Sequence, residues 1–76
     1  MSKFDKLVKQ ILEERSTSYK EAESVLIKLG FDLRIRGSHH VFAKPDYDKN
    51  VSIKMRSQLF PYQIRLIQEV LKDHGY

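Results

Sequence analysis

Phe31-Asp32-Leu33-Arg34-Ile35-Arg36-Gly37-Ser38-His39-His40-Val41-Phe42 decides the fold. Phe31, Leu33 and Ile35 alternate with Asp32, Arg34 and Arg36, the period of two expected of a strand covered on one face. Gly37-Ser38 then separates two strand-like runs. A two-residue Gly-X connection signals a hairpin, because glycine supplies the positive φ that a type II′ turn needs at its first central position. The second strand is expected over residues 39–44. So short a turn also sets the partners across it: Arg36 opposite His39, Ile35 opposite His40, Arg34 opposite Val41 and Leu33 opposite Phe42. This register gathers Leu33, Ile35 and Phe42 on one face and sends His40 with them. His39 points to the other face with Arg34, Arg36, Ser52 and Lys54.

Towards the N-terminus the apolar period becomes helical. Tyr19, Ala22, Val25, Leu26 and Leu29 form one stripe, opened by the capping-box pair Ser18 and Glu21 and closed by Gly30 at C′. Ser16-Thr17-Ser18 separates it from an earlier helix over residues 3–14, whose stripe is Phe4, Leu7, Val8, Ile11 and Leu12, with Ser2 as N-cap. Towards the C-terminus, residues 45–49 read as a turn containing Tyr47. Residues 50–55 read as a third strand, with Val51, Ile53 and Met55 on one side. Residues 56–60 connect to a last helix with Pro61 at its first position. Ile64, Ile67 and Leu71, broadened by Leu66 and Val70, give its stripe, and it ends near Gly75. Tyr62 is read as packing at the helix start in preference to base stacking, and His74 as a surface residue. The order α-α-β-β-β-α predicts an α+β fold: a three-stranded antiparallel sheet with helices on one face and the other face open.

Composition agrees with one compact domain over residues 1–76: 41% of residues are hydrophobic and 32% charged. There is no cysteine, so neither disulfides nor thiolate zinc ligands support the core, and a reducing, cytoplasmic setting is expected. The N-terminus lacks the apolar run of a signal peptide or membrane span. The net charge of +4 is uneven: residues 31–56 hold six Lys/Arg against three Asp/Glu, whereas residues 1–30 hold six against five and residues 57–76 two against two. The excess in the middle favours a polyanionic partner such as nucleic acid.

Successive strand residues face opposite ways, so His39 and His40 do not converge on one metal ion, and no metal or other cofactor is expected. His39 instead lies within about 5 Å, Cβ to Cβ, of Arg36. RNA is cut without a metal when a base deprotonates a 2′-hydroxyl, its oxygen attacks the adjacent phosphorus, and cations stabilise the phosphate oxygens. His39 suits the acid or base role, since histidine titrates near neutrality. Arg34, Arg36 and Lys54 can hold phosphate, and the Gly37-Ser38 turn can add a hydrogen bond. A plainer reading makes both arginines a solvated strand face and His40 a half-buried structural residue, or a secondary functional one.

At these residues the chain resembles the HicA toxins, mRNA interferases of HicA/HicB toxin-antitoxin systems. The resemblance covers residues 25–76 and rests on Leu29-Gly30-Phe31, on Arg34-Ile35-Arg36-Gly37-Ser38-His39-His40-Val41-Phe42, and on Pro61-Tyr62-Gln63-Ile64 leading into a helix that ends in Gly75. It implies a double-stranded-RNA-binding-domain-like fold over residues 18–76, mRNA cleavage, and neutralisation by a HicB-like antitoxin. In that family the functional histidine commonly follows Gly-Ser directly, which corresponds to His39. Compact members often carry a proline and a further histidine after the third strand, where this chain has Lys54-Met55-Arg56-Ser57-Gln58. Residues 1–15 extend beyond the shortest members. The alternative from another class is a non-catalytic RNA-binding module. Against the usual duplex-binding mode of that fold, the last helix begins with a single basic residue, Arg65, rather than a lysine cluster. A third reading is a protein-interaction partner without RNA activity.

Overall fold

The computed structural model describes residues 2–54 and 58–76. The elements are α1 (Lys3–Leu12), α2 (Tyr19–Lys28), β1 (Asp32–Arg36), β2 (His39–Lys44), β3 (Tyr47–Lys54) and α3 (Pro61–Asp73). The three strands form one antiparallel sheet in the order β1-β2-β3. This is the α+β, dsRBD-like arrangement expected, with α1 added before it.

Local chemistry explains where the helices start and stop. The Ser2 side chain accepts the Asp5 N–H at 3.1 Å and caps α1. At α2 the box is reciprocal: Ser18 Oγ accepts the Glu21 N–H at 3.2 Å while Glu21 Oε1 accepts the Ser18 N–H at 3.0 Å. That second bond, ahead of smaller contributions from Gln10 and Lys3, holds the Glu21 carboxyl below the usual carboxylate range. Gly30 follows α2 with φ +99°, a left-handed conformation that stops the helix at low cost. α1 ends at Leu12, the last residue of its apolar stripe and two residues before the expected end, and Glu14 takes a positive φ of 58° in the exit turn.

One apolar cluster joins all these elements. Leu7, Val8 and Ile11 of α1, Ala22, Val25 and Leu26 of α2, Phe42, Val51 and Ile53 of the sheet, and Ile64, Ile67, Val70 and Leu71 of α3 are all buried. α1 packs against both other helices, and Gln68 of α3 donates to the Ile11 carbonyl at 2.8 Å. The N-terminal helix therefore supplies core.

The β1–β2 register is the one that the two-residue turn requires, from Arg36↔His39 to Leu33↔Phe42. Gly37 has φ +59° and Ser38 does not share the positive φ, as in a type II′ turn. Three expectations are corrected. β3 begins at Tyr47, not residue 50: Lys44 pairs with Tyr47 across Pro45-Asp46, and a register irregularity between Phe42 and Lys44 absorbs the extra length. Tyr47 is drawn into the strand because its ring stacks on Phe31 at 5.6 Å and its hydroxyl donates to Asp73 at 2.6 Å. His74 is half-buried, not a surface residue: Nδ1–H donates to the Val70 carbonyl at 2.8 Å, Nε2 lies 3.1 Å from Lys44 Nζ, and the ring meets Phe31 edge-on. Ile35 is on the helix-facing side but 61% exposed, because it sits on an outer strand beside the turn, where a sheet is least covered. Met55, expected on the core side of β3, lies outside the described residues, as does the first part of the connection to α3.

Replacing Ser18 with Ala should lower stability by about 1 kcal/mol in urea unfolding at neutral pH. Because the folded-state value of Glu21 is depressed, the stability from its ionised form is present above the ordinary glutamate range and lost as pH falls through the lowered value. The parent should therefore lose stability relative to Glu21→Gln as the solution is acidified; parallel acid profiles would refute this.

Candidate nucleic-acid interface

Alternation sorts the sheet into two faces, and the face without helices carries Asp32, Arg34 and Arg36 of β1, His39, Val41 and Ala43 of β2, and Asn50, Ser52 and Lys54 of β3. Pairing arranges these in rows. Arg36, His39 and Lys54 form the row next to the turn, one residue from each strand. Arg34, Val41 and Ser52 form the next row, roughly 7 Å further along. Gly37 and Ser38 close the hairpin beside the first row, and all of these except Val41 are exposed.

The cations of this face differ from those at the opposite end of β3. There Lys49 Nζ binds Glu69 at 3.0 Å and Asp73 at 3.1 Å, and Asp73 also accepts the Tyr47 hydroxyl. Those partners hold the Lys49 ammonium above its usual range. Burial, then Asp73, pushes the Tyr47 phenol up to about 12, while Tyr47 and then Lys49 hold the Asp73 carboxyl down. By contrast, Arg34, Arg36 and Lys54 take part in none of the ion pairs among the described residues. Three positive charges outside the ion pairs of the described residues, on one open face, form a ready surface for phosphate.

His40 is on the other side and is not free. Tyr19, the first residue of α2, is buried; its ring meets the imidazole edge-on at 4.9 Å, and its hydroxyl is hydrogen-bonded to His40 Nδ1. The same hydroxyl donates to Glu23 Oε2 at 2.9 Å. Burial first, and then Glu23, holds the Tyr19 phenol well above its usual range, so it keeps its proton. One phenol has one proton, and a carboxylate only accepts. With that proton directed to Glu23, the bond to His40 must be donated by Nδ1–H. The chain therefore runs His40 to Tyr19 to Glu23 and makes Nδ1–H the protonated position of the neutral ring. His39, one residue away, has no side-chain hydrogen bond among the described residues.

The sequence reading placed Arg34, Arg36, Gly37, Ser38, His39 and Lys54 together, and the structure brings them together. It placed His40 inward without finding its partners. The available signal was Tyr19 itself: a tyrosine in a core stripe needs a partner for its hydroxyl, and Glu23 follows at i+4.

Residues 19–76 match the family model described as the HicA toxin of bacterial toxin-antitoxin systems. The chain belongs to the HicA toxin family. Members are toxins of toxin-antitoxin pairs and are in general RNases that cleave mRNA, with an antitoxin as partner. The match starts at the first residue of α2, so α1 lies outside it. No curated protein and no solved structure matches the chain significantly. Among the described residues, no helix is long and apolar enough to cross a membrane.

Nitrogen-15 NMR of the histidine rings above their titration range should show His40 protonated at Nδ1 and bare at Nε2. Tyr19→Phe should shift that ring towards the Nε2–H form and cost roughly 1 kcal/mol of stability. A parent His40 already in the Nε2–H form would disprove the hydrogen-bond chain.

Proposed function

We propose that this HicA protein is the toxin of a toxin-antitoxin pair and an endoribonuclease acting on mRNA, with His39 as general acid or base and a HicB-like antitoxin as its inhibitor. The observation that carries this reading is the row Arg36, His39, Lys54. An exposed imidazole stands between two cations that, among the described residues, have no carboxylate partner.

The chemistry follows from that spacing. A phosphodiester held by Arg36 and Lys54 places its phosphorus over the central strand, within reach of the His39 ring. As base, His39 takes the proton of the 2′-hydroxyl; the O2′–P bond forms as the P–O5′ bond breaks, giving a cyclic phosphate, and the departing O5′ takes a proton from water. As acid, it instead delivers the proton that the departing O5′ needs. Arginine offers paired N–H donors to the equatorial oxygens, where negative charge grows. Arg34, one row away, is placed for the adjoining phosphate, and Ser38 offers a hydroxyl beside the turn. In this reading the proton transfers and the charge stabilisation are carried by side chains. A cytoplasmic site of action fits mRNA as the substrate.

Expression should arrest growth and degrade mRNA, and both effects should disappear in His39→Ala while the protein remains folded. Arg36→Ala should weaken binding of an uncleavable RNA and reduce the slope of log affinity against log salt by about 1. A folded His39→Ala protein as toxic and as active as the parent would sink the assignment. RNA binding by the parent without cleavage would instead favour a binding module on the same face.

A further inference from the structure

Two aromatic rings stand exposed where α3 begins. Phe60 is 42% and Tyr62 65% exposed. Their rings are stacked, with centroids 5.8 Å apart and planes inclined by only 20°. Tyr62 does pack at the helix start, on Phe60, but it turns most of its surface to solvent. Adjoining exposed aromatics form a patch, and such patches mark contact surfaces.

The pair is rigidly mounted. Phe60 is the extended N-cap residue of α3, and Pro61 follows with its φ held by the ring. Gln63, buried among apolar side chains, reaches back so that its Oε1 accepts the Phe60 N–H at 2.8 Å. This buried amide fixes the backbone that carries the first ring. Platforms of this kind bind with little loss of conformational entropy.

The pair also lies at the proposed active end of the molecule. Lys54 precedes Phe60 by six residues, which limits their separation to roughly 20 Å. The Leu59 N–H donates to the Thr17 carbonyl at 2.9 Å, just before α2, and α2 starts with Tyr19 against His40. The start of β2, the end of β3 and the starts of α2 and α3 therefore gather together. Arg65 follows Tyr62 by three residues on the same helix surface, and the first turn of α3 holds no acid. Among the described residues, Glu14 lines a depression with Pro61, Ile64 and Arg65.

We propose that Tyr62, backed by Phe60, is a stacking platform for an unpaired RNA base, seating a nucleotide that neighbours the phosphate held by Arg36 and Lys54. A single-stranded polyanion presents both features of this end, flat bases for the ring pair and phosphates for the unpaired cations. An apolar protein segment would use the ring area but neither the parallel stacking nor the charge. The assignment rests on the open face being the RNA surface, and the experiment separates the two.

The probe is a short single-stranded RNA, uncleavable because its 2′-hydroxyls are methylated, with 2-aminopurine in place of each base in turn. One position should be quenched on binding to the parent. Tyr62→Ala should abolish that quench and weaken affinity roughly 5- to 100-fold, the usual effect of losing one stacked base, without changing the salt slope. Tyr62→Phe should behave like the parent, and Tyr62→Leu like Tyr62→Ala. Tyr62 is exposed, so these proteins should keep the parent's thermal midpoint, which checks folding directly. Unaltered RNA affinity in Tyr62→Ala overturns the platform while leaving the basic row intact. Equal binding by Tyr62→Leu overturns stacking in favour of simple apolar contact. Loss of antitoxin binding with RNA binding unchanged assigns the patch to protein. A parent that binds no RNA overturns the platform together with the surface it depends on.

Discussion

The connection between β1 and β2 contains two residues, and the chemistry of both sheet faces depends on that number. With two, His39 stands opposite Arg36 and shares a face with Lys54; with one more or one fewer, strand alternation would exchange His39 and His40. The constraint is enforced twice. Gly37 adopts the left-handed φ that the turn needs, and the apolar residues Leu33, Phe42, Val51 and Ile53 reach the helix side only in this register. Hydrophobic burial thus holds in place a histidine that takes no part in the core. On the opposite face of the same strand, the hydrogen-bonded chain through Tyr19 to Glu23 fixes the neighbouring imidazole, so β2 is anchored immediately beside the exposed one.

What could be read from the residues was whatever follows from local period and turn chemistry. Helix caps at Ser2 and Ser18, the stop at Gly30, the hairpin register and the faces of His39 and His40 all came from short-range rules, and each is present in the structure. The misplacements share a different cause. Tyr47 reads as a turn residue because Pro45, Asp46, Asp48 and Lys49 surround it, yet rings from Phe31 and His74, distant in sequence, claim it for a strand. His74 reads as surface because it follows the last helix, where nothing local announces Phe31 and Lys44. Ile35 shows the converse: its period is right, but period does not tell how far a helix layer extends. The partners of His40 and the exposure of Tyr62 are likewise long-range facts.

The molecule is electrostatically two-ended. At the far end of β3, Lys49 is occupied by two carboxylates of α3, so the helix is bound to the sheet by charge as well as packing. At the hairpin end, the sheet cations face outward without such partners. A net charge of +4 understates this separation. Family membership adds what geometry alone does not: a small basic sheet with an exposed histidine suits several polyanions, while HicA toxins are in general RNases.

Among the described residues, the strand order β1-β2-β3 leaves only the central strand paired on both sides. Two open edges in a chain of 76 residues invite the strands of neighbouring copies to add on, the usual beginning of aggregation. The cations proposed to bind phosphate discourage it here. Arg34 and Arg36 place charge along the β1 edge, and Lys54 does so along β3, whose early register shift also makes it a poor template for a straight incoming strand. The charges proposed to hold a polyanion thus also oppose edge-to-edge pairing of copies.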